Sequence, residues 1–203
     1  MANNPIKIIV VDTSPLISLA AANSLDYLLY PHLPVIIPDA VFYEATFSGS
    51  KLGAQEILDW RTSHRAEISI EPTRVFEEAY ALLTMPDSRQ RPRDVGERAA
   101  IEVIRHSHLL EKNDKAILLA DDQDVKGMIA LEPERIILMT TTDFLRELET
   151  AKRIQSAQYV IDLAAKAGRN LPVRDLYSQH DPEIRDAVRD IIQNAHKAKK
   201  GED

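Results

Sequence analysis

Residues 8–20 read IIVVDTSPLISLA: four β-branched aliphatic residues run without a break into a carboxylate. A continuous apolar run of this kind marks a strand covered on both faces, as in a parallel sheet. Residues 6–11 (IKIIVV) are therefore predicted to be a central strand. Ser14 and Pro15 read as an N-cap followed by a first helical residue, opening a helix that carries Leu16, Ile17, Leu19 and Ala20. Asp12 is caught between the two. A buried carboxylate with no partner costs several kcal/mol or more, so this position needs a chemical reason.

The same alternation of short apolar runs and amphipathic stretches continues outward. Strands are predicted at 33–37 (LPVII), 67–70 (EISI), 116–120 (AILLA) and 135–139 (RIILM). Helical patterns lie at 25–29, from Pro38-Asp39 through Glu44, and at 54–60, 73–83 and 95–110. Two prolines punctuate residues 85–94, the clearest loop. Strands alternating with helices imply an α/β domain with a mainly parallel sheet. From residue 142 the pattern is purely helical. Gly168 reads as a helix stop, and Asp181-Pro182 opens a last helix with the stripe Ile184, Ala187, Val188, Ile191, Ile192 and Ala195. The expected division is an α/β domain over 5–143 and a helical C-terminal extension over 144–203.

At 203 residues, 44% hydrophobic and 28% charged, the composition is that of an ordinary soluble domain. With no cysteine, thiol chemistry and zinc–thiolate sites are excluded, and a reducing cytoplasm is expected. No membrane span or signal peptide is visible. The net charge of −7 is uneven: residues 151–203 carry 10 Lys+Arg and 8 Asp+Glu, leaving −9 for residues 1–150. Against that background Arg89, Arg91, Arg93 and Arg98 crowd into SRQRPRDVGER. The 11 aromatic residues form no RNA-recognition motif and are expected mostly to serve packing. Six glycines include neither a dinucleotide fingerprint nor a Walker loop. No nucleophile elbow is present. His106 and His108, two apart on a helix, point in different directions and read as a solvated helix end.

In an open parallel sheet, function gathers at the carboxyl ends of the strands. Asp12, Glu44, Asp121 and Asp122 fall there or one turn beyond, and Glu97 opens a helix that could meet the same rim. Converging carboxylates repel one another unless a cation neutralises them, and hard divalent ions such as Mg²⁺ or Mn²⁺ prefer oxygen donors.

The stretches VVDTSPLISLA, PDAVFYEA, DVGERAAIEVI and ILLADDQDVKG, in that order, resemble the four acidic motifs of PIN-domain ribonucleases. The variant resembled is the bacterial one with an opening DTSPLI and a third motif written GE. The resemblance covers about residues 6–143 and implies a PIN-like α/β/α fold. It implies catalytic acids at Asp12, Glu44, Glu97 and the pair Asp121/Asp122, with Asp122 preferred as the fourth. Metal ligands would come from Asp12, Glu97, Asp121 and Asp122, with Ser14 and Asp124 in supporting positions. Ala120 departs from the pattern, which usually has a hydroxyl residue there. The implied activity is Mg²⁺- or Mn²⁺-dependent hydrolysis of RNA in the cytoplasm. Pairing with an antitoxin-like inhibitor is also implied. The apolar stripe of the last helix is expected either to be buried on its own domain or to serve dimerisation or a partner groove, and a homodimer is expected. An aspartyl phosphatase is a rival reading, weakened by Ser14 where such enzymes carry a second Asp. A non-catalytic PIN-like module that binds a partner protein is another.

RNA crossing a surface of charge −9 needs cations beside the acids, and Arg89, Arg91 and Arg93 are the densest cluster leading into Glu97. Replacing the three with Gln is expected to flatten the salt dependence of RNA binding, each lost contact removing about 0.7 from the log–log slope. An unchanged slope would assign these arginines to a solvated loop.

Overall fold

The computed structural model describes residues 6–47, 51–85, 92–122, 127, 134–172 and 181–198, with side chains as far as 195. Strands β1 (Ile6–Val11), β2 (Val35–Pro38), β3 (Ile68–Glu71), β4 (Lys115–Leu119) and β5 (Ile136–Met139) form one sheet. Their order is β3-β2-β1-β4-β5, and every pairing is parallel. The helices described are α1 (Thr13–Ala21), α2 (Asp39–Thr46), α3 (Ala54–Ser63), α4 (Arg74–Thr84), α5 (Val95–His106), α6 (Thr141–Thr150), α7 (Ala157–Lys166) and α8 (Pro182–Ala198). A short 3-10 helix spans Leu25–Leu29.

Side chains alternate across a strand, so each strand feeds two cores. Ile9, Val11, Val35, Ile37, Ile117, Leu119, Ile137 and Met139 point to one side. Ile8, Val10, Ile36, Ala116, Leu118, Ile136 and Leu138 point to the other, where Ala100, Ile101, Val103 and Ile104 of α5 cover them. The first face is covered by α1, α3 and the C-terminal helices. The layers are therefore α/β/α, and the unbroken apolar runs follow from burial on both faces.

Leu145, Leu148, Val160, Ala164, Val188 and Ile192 enter the same core as α1 and the sheet. Glu147 of α6 receives the Arg189 guanidinium on both oxygens, at 3.1 and 3.2 Å, which fastens α8. The apolar stripe of the last helix, where described, is thus buried on its own fold.

Two expectations are corrected. The first helix begins at Thr13, with Asp12 in the N-cap position, not at Ser14-Pro15. The strand passes straight into the helix, and Pro15 is still tolerated because first-turn N–H groups lack helical partners. The helix expected over 95–110 ends at His106. After Ile104 the next core-facing positions would be Ser107 and His108, which have nothing to bury. The chain turns at Ser107 and returns Leu110 to the core.

Gly53 fixes how α3 meets α1. Its φ is +78°, and a Cβ there would lie 2.6 Å from the Ala20 Cβ. Gly53→Ala is expected to combine left-handed backbone strain with overpacking, lowering unfolding free energy by about 2–4 kcal/mol. A lower urea midpoint at unchanged m-value would show it. An unmoved midpoint would mean that the two helices are not locked at this contact.

Candidate active site

Open parallel sheets bind ligands where the strand order reverses. Here the chain starts in the middle and reverses between β1 and β4. The crevice therefore lies beyond Val11 and Leu119, which pair across that boundary. Asp12 follows the first strand directly, and Asp121 stands two residues past the second.

Asp12 is only 4% exposed. Its amide donates to the Leu119 carbonyl at 2.9 Å, which holds it at the end of β4. Its side chain makes no capping bond to α1, so helix capping does not account for it. The second residue of α5 packs against this carboxylate: a Cβ on Gly96 would lie 3.2 Å from Asp12 Oδ1 and 3.4 Å from Val41 Cγ2. Glycine thus lets α5 approach closely enough to bring Glu97, in its first turn, to the crevice. Glu44 comes from α2, and the Thr13 hydroxyl donates to its Oε2 at 2.9 Å.

Asp121 joins β4 to the start of α6. The Thr141 amide donates to Oδ1 at 2.8 Å, and the Thr141 hydroxyl to Oδ2 at 2.9 Å. Thr140 and Asp143 cap the same helix reciprocally, each side chain accepting from the other's amide, which accounts for the buried Asp143.

The charges crowd. Burial pushes the Asp12 carboxyl up to about 7; the Thr13 amide partly offsets this, and Glu97, Glu44 and Asp121 add to it. Burial also raises Glu97, opposed by its own amide and reinforced by Asp94, Asp122 and Glu44. Asp121 is raised by burial and by Asp143, while the Thr141 bonds and Arg169 pull it back. The acids grade from buried Asp12, through half-buried Glu97 and Asp121, to exposed Glu44 and Asp122. All five expected acids therefore share one electrostatic neighbourhood.

Arg169 was not anticipated from sequence. It follows Gly168, whose φ of +86° ends α7. The guanidinium donates to Ser18 Oγ at 3.3 Å and to the Ser14 carbonyl at 3.5 Å. Ser14 itself lies half-buried in the first turn of α1. Arg93 is exposed, whereas Arg89, Arg91 and Asp124 lie outside the described residues.

Among the described residues, no group of three or more His, Cys, Asp or Glu is drawn together tightly enough to hold a metal as it stands. The donor set nevertheless suits a hard divalent ion: it is all carboxylate, and its mutual repulsion is what such an ion relieves.

A family model described as a PIN domain matches residues 8–172, which include Arg169. This chain belongs to the PIN-domain family. Proteins of the family are generally nucleases and usually use divalent metals, so the fold is of nuclease type. No curated protein and no solved structure gives a match. Among the described residues, no helix is long and apolar enough to cross a membrane.

The raised Asp12 carboxyl sets a pH dependence for the metal-free protein. Its folded value of about 7 lies above the ordinary 3.8, so the native state binds the extra proton between them. The corresponding stability is complete below about pH 4 and is lost as pH rises through 7. Asp12→Asn should flatten that decline, read from thermal midpoints between pH 4 and 8 with chelator present. A decline as steep as in the wild type would place the titration elsewhere.

Proposed function

We propose that the protein is a divalent-metal-dependent ribonuclease that hydrolyses RNA phosphodiester bonds. The observation that carries this reading is the burial of Asp12 at the sheet's reversal point, with Glu97, Glu44 and Asp121 close enough to raise its carboxyl further. A fold maintains such crowding at a cost in stability, and a bound cation would offset it.

Asp12, Glu97 and the Asp121/Asp122 pair would hold Mg²⁺ or Mn²⁺. Such an ion, when bound, polarises the scissile phosphate and lowers the pKa of a water that can attack it. The residues of the chain supply position. The Asp12 amide bond to Leu119 fixes the deepest carboxylate, and Thr141 fixes the orientation of Asp121 through both of its oxygens. Thr13 holds Glu44 at the outer edge, where its carboxylate can meet solvent and substrate. Arg169 places a fixed positive charge behind Asp121 and favours its ionised, metal-binding form.

Single-stranded RNA is the proposed substrate and the cytoplasm the proposed location. A toxin paired with a small inhibitor protein, acting as a homodimer, is the finer form of the same reading. A small partner gene in the adjoining reading frame would support that form.

The test is cleavage of labelled RNA by purified protein with Mg²⁺ or Mn²⁺. Cleavage is expected to stop with chelator and with Asp12→Asn, and to fall more than ~100-fold with Glu97→Gln. The amide variants keep shape while removing the charge that holds the ion. Cleavage by Asp12→Asn at the wild-type rate would overturn the metal-centre reading.

A further inference from the structure

Four aromatic rings lie together where α2 meets α4, two of them half-buried and two exposed. Tyr43 and Phe47 of the α2 end stack with centroids 4.3 Å apart and planes 29° apart. Phe76 and Tyr80 of α4 join them, at 5.1 and 5.7 Å from Tyr43, and are 5.7 Å from each other. The cluster is open on its outer side: Phe47 is 69% exposed and Tyr80 43%. Rings that served only packing would be covered, as Phe144 is at 0%.

The rings are also held rigidly. The Asp39 carboxylate at the start of α2 accepts from both the amide and the hydroxyl of Thr73, the cap of α4, at 2.9 and 2.7 Å. Glu102 of α5 accepts from the first two amides of α4, Arg74 and Val75, each at 3.0 Å. Carboxylates of α2 and α5, the helices that bear Glu44 and Glu97, therefore set the position of α4. The cluster is tied to the same frame as the acids.

We propose that this α2/α4 face is a stacking platform for unpaired nucleobases of the RNA whose backbone enters the acidic crevice. The proposal rests on the ribonuclease reading of that crevice. Three observations select a nucleobase as the occupant. Phe47 stands three residues after Glu44, one helical turn on, and the Glu44 carboxylate is bonded to Thr13 beside Asp12, so the exposed end of the stack borders the outermost acid. The Tyr43–Phe47 pair is a stack that ends on an exposed ring, and a flat base would extend it. Lys51, which donates to the Glu44 carbonyl, supplies a cation at this edge for the phosphates of a polyanion.

The area argues against a second copy. A ring of this type carries about 150–250 Å², so the exposed parts of Phe47 and Tyr80 present roughly 200 Å², against about 800 Å² per partner in a stable interface.

The test compares Phe47→Ala/Tyr80→Ala with the wild type, both full-length, by fluorescence anisotropy. The probes are a labelled single-stranded RNA and an abasic strand of equal length, with Ca²⁺ as the only divalent ion. The double variant is expected to bind the RNA at least ~10-fold more weakly and the abasic strand as the wild type does. Tyr80→Trp should restore RNA affinity, with its indole emission quenched on binding. Equal loss on both strands, or no loss on RNA, would overturn the platform. So would sedimentation showing that the double variant has lost a self-association that the wild type possesses. Cleavage separates the two readings. A wild type that cleaves RNA while the double variant binds it undiminished leaves the nuclease and removes the platform. A wild type that stacks RNA but never cleaves it leaves the platform and removes the nuclease.

Discussion

The Asp12 carboxylate, held beneath the surface at the point where the sheet reverses, is the constraint around which the rest is arranged. It cannot move outward, because its amide is bonded to the end of β4 and its own strand is the middle of the sheet. It cannot shed its charge problem locally either, because its nearest charged neighbours are acids. The surroundings respond in a consistent way. A glycine brings α5 down onto the carboxylate, a threonine ties the α2 glutamate beside it, and the α6 threonine takes both oxygens of Asp121. Anything that binds the folded state through these acids also stabilises it, by RT ln(1 + [L]/Kd) for a single site. Folding and occupancy of these acids by a cation would therefore be coupled.

The C-terminal helices take part in this arrangement. They bury the sheet face that carries Val11, Leu119 and Met139, and Arg169, just after α7, contacts α1 and favours the charged form of Asp121. The family match, which runs to residue 172, spans that arginine as well. A single positive charge among several acids does not neutralise them, but it biases which one ionises first. That gives the site a graded character, from a buried acid at the bottom to exposed ones at the mouth.

Much of the centre was legible because few explanations fit a carboxylate after four β-branched residues. The strand positions and the α/β class follow from the same runs. Glu97 was legible as an acid at a helix start. The exact start of α1 was not, because Asp12, Thr13 and Ser14 are all competent caps and only the geometry of β1 decides among them. Arg169 was hidden for a different reason: an arginine after a helix-ending glycine looks like any solvated one until the fold brings it across. The aromatic face was not legible, because nothing in the local spacing of Tyr43, Phe47, Phe76 and Tyr80 says that α2 and α4 bring them together. Their neighbour Phe42 does pack against the core, and a single residue, about 100° around the helix, separates the two fates. The strand order, with β1 in the centre, is a property of long-range pairing that no local pattern carries.

That central position of β1 has a consequence for synthesis. The strand bearing Asp12 leaves the ribosome about a hundred residues ahead of its neighbour β4, and Arg169 lies 155 residues beyond the Ser14 carbonyl it binds. At about 5–20 residues per second, that last interval alone is roughly 8–30 s. For that time the nascent chain, threaded through a machine built of RNA, has its first acid and no completed centre. A layout that draws its acids from four separated segments, and its arginine from a fifth, leaves the acid cluster unassembled until the segment carrying that arginine has emerged.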